Sequence, residues 1–298
     1  MRRVGMWSAG ITTVALAATV PLATAGMARA FSLLPLVTEQ AQTLPSGTAE
    51  AILGIAYFNN MRFPAFTPPG ALQHQTLIGV PQFGFRIGAG EWAEIQASYE
   101  TLYLDEKTTS GQTNWQFGSG DLRMYTKVYL KRETEMLPAF GLRFGTKLPD
   151  ANRKDQLGTD DTDFGADALA SKDFGPLSAH VNMGILLLGN SGPTIGNSFP
   201  AGGQDDLFDY QIGVVSAPLG AEVPGAVQLR ILGELTGTAG SHYDNNRTAM
   251  RVGLQMQRGK GSVYLGLSAG LVTASENVGA SAGFIYTFEP ARIFAGDQ

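Results

Sequence analysis

The chain has 298 residues, with 38 glycines, no cysteine and 16% charged side chains at a formal net charge of -5. That length accommodates one large all-β domain. The mild acidity excludes a clustered basic surface for nucleic acid, and the lack of Cys removes disulfides, thiolate metal sites and catalytic thiols together. Positive charge at Met1-Arg2-Arg3, an apolar stretch from Ile11 to Ala25 and the triplet Ala28-Arg29-Ala30 predict a secretory signal peptide over residues 1–30. A short N-terminal anchor helix is the alternative. No Cys follows the stretch, so a lipoprotein anchor is excluded. Residues 31–46 show no strong period and read as a lead-in or plug segment.

From residue 47 to residue 289 the chain alternates at period two, the signature of strands whose successive side chains point to opposite faces. Leu53, Ile55 and Tyr57 share one face of the first segment, and Phe83, Phe85 and Ile87 of the second oppose Gln82, Gly84 and Arg86. Ala93, Ile95, Ala97 and Tyr99 oppose Glu94, Gln96, Ser98 and Glu100. Leu122, Met124, Thr126, Val128 and Leu130 oppose Asp121, Arg123, Lys127 and Lys131. The pattern recurs through Phe140–Leu148, Asp163–Ser171, His180–Leu187, Phe208–Val214, Val227–Leu235, Met250–Gln257 and Val263–Leu271, and ends with Ala280–Phe288. About twelve strands follow, each near the length that crosses a bilayer at a tilt, and an even count is what a single-chain bacterial barrel requires.

Connections alternate too. Short ones stand at 88–90, 132–136, 172–176 and 258–261; longer polar or Gly/Pro-rich ones stand at 59–72, 105–119, 149–161 and 190–206. Short periplasmic turns and longer extracellular loops are the outer-membrane arrangement. The polar face is rich in Gly, Ser and Gln with isolated charges, unlike the Lys- and Glu-laden exterior of a soluble sandwich. The expected fold is therefore all-β: a closed antiparallel transmembrane β-barrel, which pairs every backbone group in lipid. A soluble exported β-protein is the alternative. Residues 290–298 form a C-terminal tail.

Three stretches carry a family resemblance: GSGDLRMYTKVYL (118–130), FGLRFGTKLPD (140–150) and LGTDDTDFGADALASKDFGPLSAHVNMGI (157–185). Gly120-Asp121-Leu122, Lys147-Leu148-Pro149, Leu157-Gly158-Thr159, and His180 with Asn182 resemble the outer-membrane transporter family named for the meta-pathway of phenol degradation. Asp160-Asp161 and Asp150 depart from its pattern, which carries more Gly and a Thr there. The resemblance covers about a quarter of the chain. It implies a transport-type barrel for hydrophobic or aromatic compounds and supplies no ligand residues.

Candidate lumen-lining residues are Arg86, Glu94, Glu100, Asp121, Arg123, Lys127, Lys131, Arg143, Lys147, Asp163, Asp167, His180, Arg230, Glu234 and Arg251. Opposed basic and acidic walls set solute preference in pores; the plainer role is cross-strand pairing that fills a narrow lumen, and it is the favoured one. Outer-face aromatics such as Phe83, Phe140, Phe208 and Tyr286 read as lipid contact and interfacial girdle. No G-x-S-x-G elbow accompanies the three histidines, His74, His180 and His242, and their scatter gives no metal spacing. No enzyme activity, metal or cofactor is expected. The expected function is passive uptake of small molecules, hydrophobic or aromatic ones among them, across the outer membrane of a Gram-negative cell. A non-transporting structural or adhesive barrel is the alternative. The partners expected are the lipid bilayer, the barrel-assembly machinery and an unidentified solute, with no nucleic acid.

Overall fold

The computed structural model describes residues 32–60, 72–108, 111–151, 157–158, 160–189, 206–220, 225–240, 246–273 and 275–290. The expected signal peptide lies outside them, as do nearly all of the tail and most of the 59–72 and 190–206 loops. Among the described residues thirteen strands form one sheet: β1 (Ala49–Asn59), β2 (Leu72–Gly88), β3 (Ala93–Thr108), β4 (Thr113–Ser119), β5 (Leu122–Lys131), β6 (Ala139–Leu148), β7 (Asp163–Asp173), β8 (Leu177–Leu187), β9 (Leu207–Ser216), β10 (Gln228–Ala239), β11 (Arg247–Arg258), β12 (Gly261–Gly270) and β13 (Val278–Phe288).

Apart from β4 and β5, neighbours in sequence pair antiparallel, and β13 returns to β1 in register from Ala49↔Phe288 to Asn59↔Val278, which closes the wall. β4 and β5 both pair with β3: β5 with Ala93–Ser98, β4 with Thr101–Lys107. They share one place, so the wall is a closed 12-strand barrel plus one extra strand. The break falls at Gly120-Asp121. There the Asp121 carboxylate turns to accept the N–H groups of Asp150 and Ala151 at 3.2 and 3.1 Å.

The stretch 105–119, a loop by its composition, is mostly strand. β3 runs on to Thr108, and β4 pairs back along it from Lys107↔Thr113 to Thr101↔Ser119. Asp, Lys, Thr and Gly suggested a turn there, but Trp115 and Phe117 keep the outward period, both more than half exposed. The residues 72–79, 101–108 and 113–119 thus form a three-stranded tongue beyond the top of β6, whose last paired residue is Leu148 opposite Leu122.

Elsewhere the two faces sort as the alternation requires. Leu53, Phe83, Ile95, Leu142, Met183, Ile212, Val252, Leu265 and Phe284 are exposed on the outside, which suits a surface solvated by lipid tails rather than water. The inner face carries the charges, the small residues and a minority of apolar side chains. Glycine on that face seats larger neighbours: Tyr264 lies with its hydroxyl against Gly54 and Gly283, where any Cβ would collide with it. At the end of the barrel bearing the tongue, inward Leu77, Leu102 and Leu104 pack with Ala151 and Leu157. Periodicity alone does not give this apolar patch on a mostly polar inner face.

Candidate functional site

Residues 32–47 run around the inner wall, meeting the strands in descending order. Gln255 on β11 donates to Ser32 O at 2.9 Å and Leu34 O at 3.3 Å. Leu33 and Leu36 pack with Val215 of β9 and Leu232 of β10. The Glu234 carboxylate of β10 accepts from the N–H groups of Val37 and Thr38 and from the Thr38 hydroxyl, the last at 2.6 Å. Asn182 of β8 grips the Glu39 backbone from both sides, accepting its N–H at 2.7 Å and donating to its C=O at 2.8 Å. Ser171 of β7 takes the Ala41 N–H at 2.8 Å, and Glu94 of β3 takes the Leu44 N–H at 2.7 Å.

Wall glycines make the close approach possible. A Cβ at Gly266 would stand 2.6 Å from Pro35 Cγ, one at Gly213 would stand 3.1 Å from the Thr38 side chain, and one at Gly141 would stand 2.9 Å from Ala41 O. Backbone N–H groups with no strand partner are costly when buried, and here wall carboxylates, amide and hydroxyl groups satisfy them. The segment does not fill the lumen: Val37 is 48% exposed although it sits inside the barrel. Inward-facing Ser98 is exposed as well.

The lumen charges form linked groups. Arg86 binds Glu39, Glu50 and Glu94 at 3.1, 3.4 and 2.7 Å, and Lys127, wholly buried, binds Glu39 and Glu94 at 3.3 Å each. Glu94 also accepts from Gln96 at 2.7 Å. Burial alone would raise the Glu39 carboxyl. The guanidinium of Arg86, the ammonium of Lys127 and the Arg143 charge outweigh it and hold that carboxyl at about 2. Higher in the barrel Lys147 joins Asp163 at 2.8 Å and Asp121 at 3.4 Å, and Arg123 joins Glu100 at 3.0 Å. Arg143 lies 3.8 Å over the Tyr125 ring and 3.7 Å from Asp167. Glu234 pairs with Arg251, and Arg230 donates to Gln257 at 2.9 Å.

Fourteen of the fifteen residues expected on the lumen face lie there. Lys131 does not: a register shift after Tyr129 pairs it with outward Phe140, and it is exposed. His180, 4% exposed, holds Ser171 through Nδ1 at 2.9 Å and Ser178 through Nε2 at 3.2 Å. Ser171 is buried and already accepts from Ala41, so this Ser–His pair supports the segment and offers no open nucleophile. His242 and the His74 side chain lie outside the described residues. Sequence reading missed Glu39, Glu50, Asp209 and Gln211. Three of them stand on strand faces that alternation identifies as inward; Glu39 stands in a segment without a period and left no local signal.

No family model and no curated protein matches the chain. Among solved structures, the COG4313 outer membrane channel from Pseudomonas putida F1 is similar at a TM-score of 0.59 and 14% identity, covering 83% of this chain and 98% of that one. The fold is that of a bacterial outer-membrane β-barrel. The β domain of the Bordetella autotransporter BrkA and the NanC porin are more distant, at TM-scores of 0.44 and 0.42, with 12% and 11% identity; they cover 81% and 80% of this chain and 99% and 98% of theirs.

Proposed function

We propose that this chain is an outer-membrane channel through which small molecules, hydrophobic or aromatic ones among them, enter the cell passively, and that residues 32–46 form its constriction. The observation that carries this reading is a lumen that is lined but not filled: Val37 stays half exposed inside a closed wall whose charges are mostly paired. A lumen packed shut, as a purely structural barrel has, would leave no such surface. Pairing lowers the cost of passage for weakly polar solutes, because a neutralised charge neither holds nor repels them strongly. The signal sequence at 1–30 directs export, and the aromatic last strand through Phe288 presents the chain to the barrel-assembly machinery.

Flux into liposomes tests this. Full-length protein is expected to admit small aromatic solutes and small ions and to exclude large sugars. Liposomes that stay impermeable to all of them would establish the structural or adhesive reading instead.

A further inference from the structure

The inner wall holds residues 32–46 as a groove holds a peptide. Main-chain groups along the segment are bonded by side chains of β3, β7, β8, β10 and β11. The segment adds no strand to the sheet. The wall closes beside it, with β1 paired to β13 on one side and to β2 on the other. Withdrawing the segment therefore breaks no ladder bond between wall strands.

Nor does withdrawal strand a charge on the wall. Losing one partner of a buried ion pair is strongly destabilising when the other is left uncompensated. Here each charged wall group that grips the segment has a second partner on the wall. Glu234 keeps Arg251. Arg86 keeps Glu50 and Glu94, and Lys127 keeps Glu94. Ser171 likewise keeps His180. Asn182 and Gln255, which bond the segment's main chain, are uncharged amides that water can satisfy. The Glu39 carboxylate leaves with the segment.

Two side-chain seats give the groove a preference. The Pro35 ring lies over Gly253 and Gly266, and a Cβ at either would collide with it. Four residues on, Glu39 reaches between Arg86 and Lys127.

We infer that the inner wall is a binding groove for an extended peptide, with residues 32–46 as its tethered and exchangeable occupant. The ligand class is an extended chain carrying a proline and, four residues later, a carboxylate. The tether runs into the turn Pro45–Thr48, where Thr48 N–H donates to Pro45 O at 3.0 Å and Ser46 and Gly47 are exposed. A tethered occupant acts at an effective concentration on the order of millimolar, so the intact chain keeps competitors out. The groove concerns the segment proposed above as the constriction, but it rests on that segment's seat in the fold and not on transport.

Binding therefore tests it. Full-length protein with a protease recognition sequence inserted after Ser46 is folded in detergent and cut at that exposed turn. The probe is a fluorescent synthetic peptide of residues 32–46. The cut barrel is expected to keep its heat-modifiable migration and to bind the probe saturably, read by anisotropy. Uncut protein is expected to take up none at micromolar probe. A probe with Glu39→Gln should bind about tenfold more weakly, and one of scrambled order should not bind. In uncut full-length Glu39→Gln the unaltered probe should enter at about one tenth of the concentration the unaltered chain needs; this variant serves if the insertion does not fold. Loss of the folded barrel on cutting, equal binding of the scrambled peptide, or no probe uptake by either protein would each overturn the inference. Exchange by a protein that passes no solute would leave the groove standing and dismiss only the channel.

Discussion

Glu234 and Thr38 fasten the inner segment to the wall: one carboxylate oxygen accepts both the Thr38 N–H, at 2.9 Å, and the Thr38 hydroxyl, at 2.6 Å. The same carboxylate neutralises Arg251. Glu234→Ala therefore leaves buried donors and a charge unmatched together. It should lower the unfolding free energy by about 3 kcal/mol and raise conductance as the segment loosens. Urea unfolding in lipid vesicles and planar-bilayer recording measure the two effects.

Burial separates the ion pairs by consequence. Lys127 is fully enclosed between Glu39 and Glu94, whereas Arg132 and Glu91, 3.9 Å apart, are both more than half exposed. Lys127→Ala should cost about 3–5 kcal/mol, because uncompensated carboxylates remain in the interior. Arg132→Ala should cost at most about 1 kcal/mol. Chemical unfolding of both variants, side by side, checks the contrast.

The outward face should behave as a surface solvated by lipid. Leu265 stands at the middle of β12 and is 49% exposed; Val278 begins β13 at a rim of the wall. Leu265→Arg is expected to destabilise the barrel by about 2–4 kcal/mol and Val278→Arg by no more than about 1 kcal/mol. Equal penalties at both depths, read from folding into vesicles, would contradict a hydrocarbon band around the molecule.

Much of this was legible in the residues. Leu265 and Val263 against Tyr264 and Ser262 announce a strand and its faces without a structure, because a buried or lipid-facing side and a lumen side demand opposite chemistry. The pairing partners were less legible. Arg123 and Lys127 lie on one strand face, yet Arg123 meets Glu100 while Lys127 meets Glu94 and Glu39. Alternation gives the face of a residue but not the register that chooses its neighbour. The inner segment was least legible. Its backbone is held by side chains far away in sequence, as Glu39 is by Asn182, so no local period records it. Thr113–Ser119 misled for the reverse reason: a strand that pairs along one edge only needs little more than its own alternation, and its flanking Asp, Lys and Gly resemble a loop.

Acid should release the segment late. The Glu39 carboxyl is held at about 2, below its ordinary value of 4.5, so the folded state gains stability above the ordinary value and loses it as pH falls through about 2. Conductance at pH 4 should equal that at neutral pH and rise near pH 2. A rise already at pH 4 would mean that Glu39 does not govern the constriction.

The central claim is that solutes pass Val37 on their way through the lumen. Since the chain has no cysteine, Val37→Cys creates a single reactive thiol, and the decisive measurement is single-channel current through that variant before and after a bulky thiol reagent is added. A current that falls stepwise on modification is predicted. A current that ignores the modification, or no current at all from the folded full-length protein, would contradict the claim.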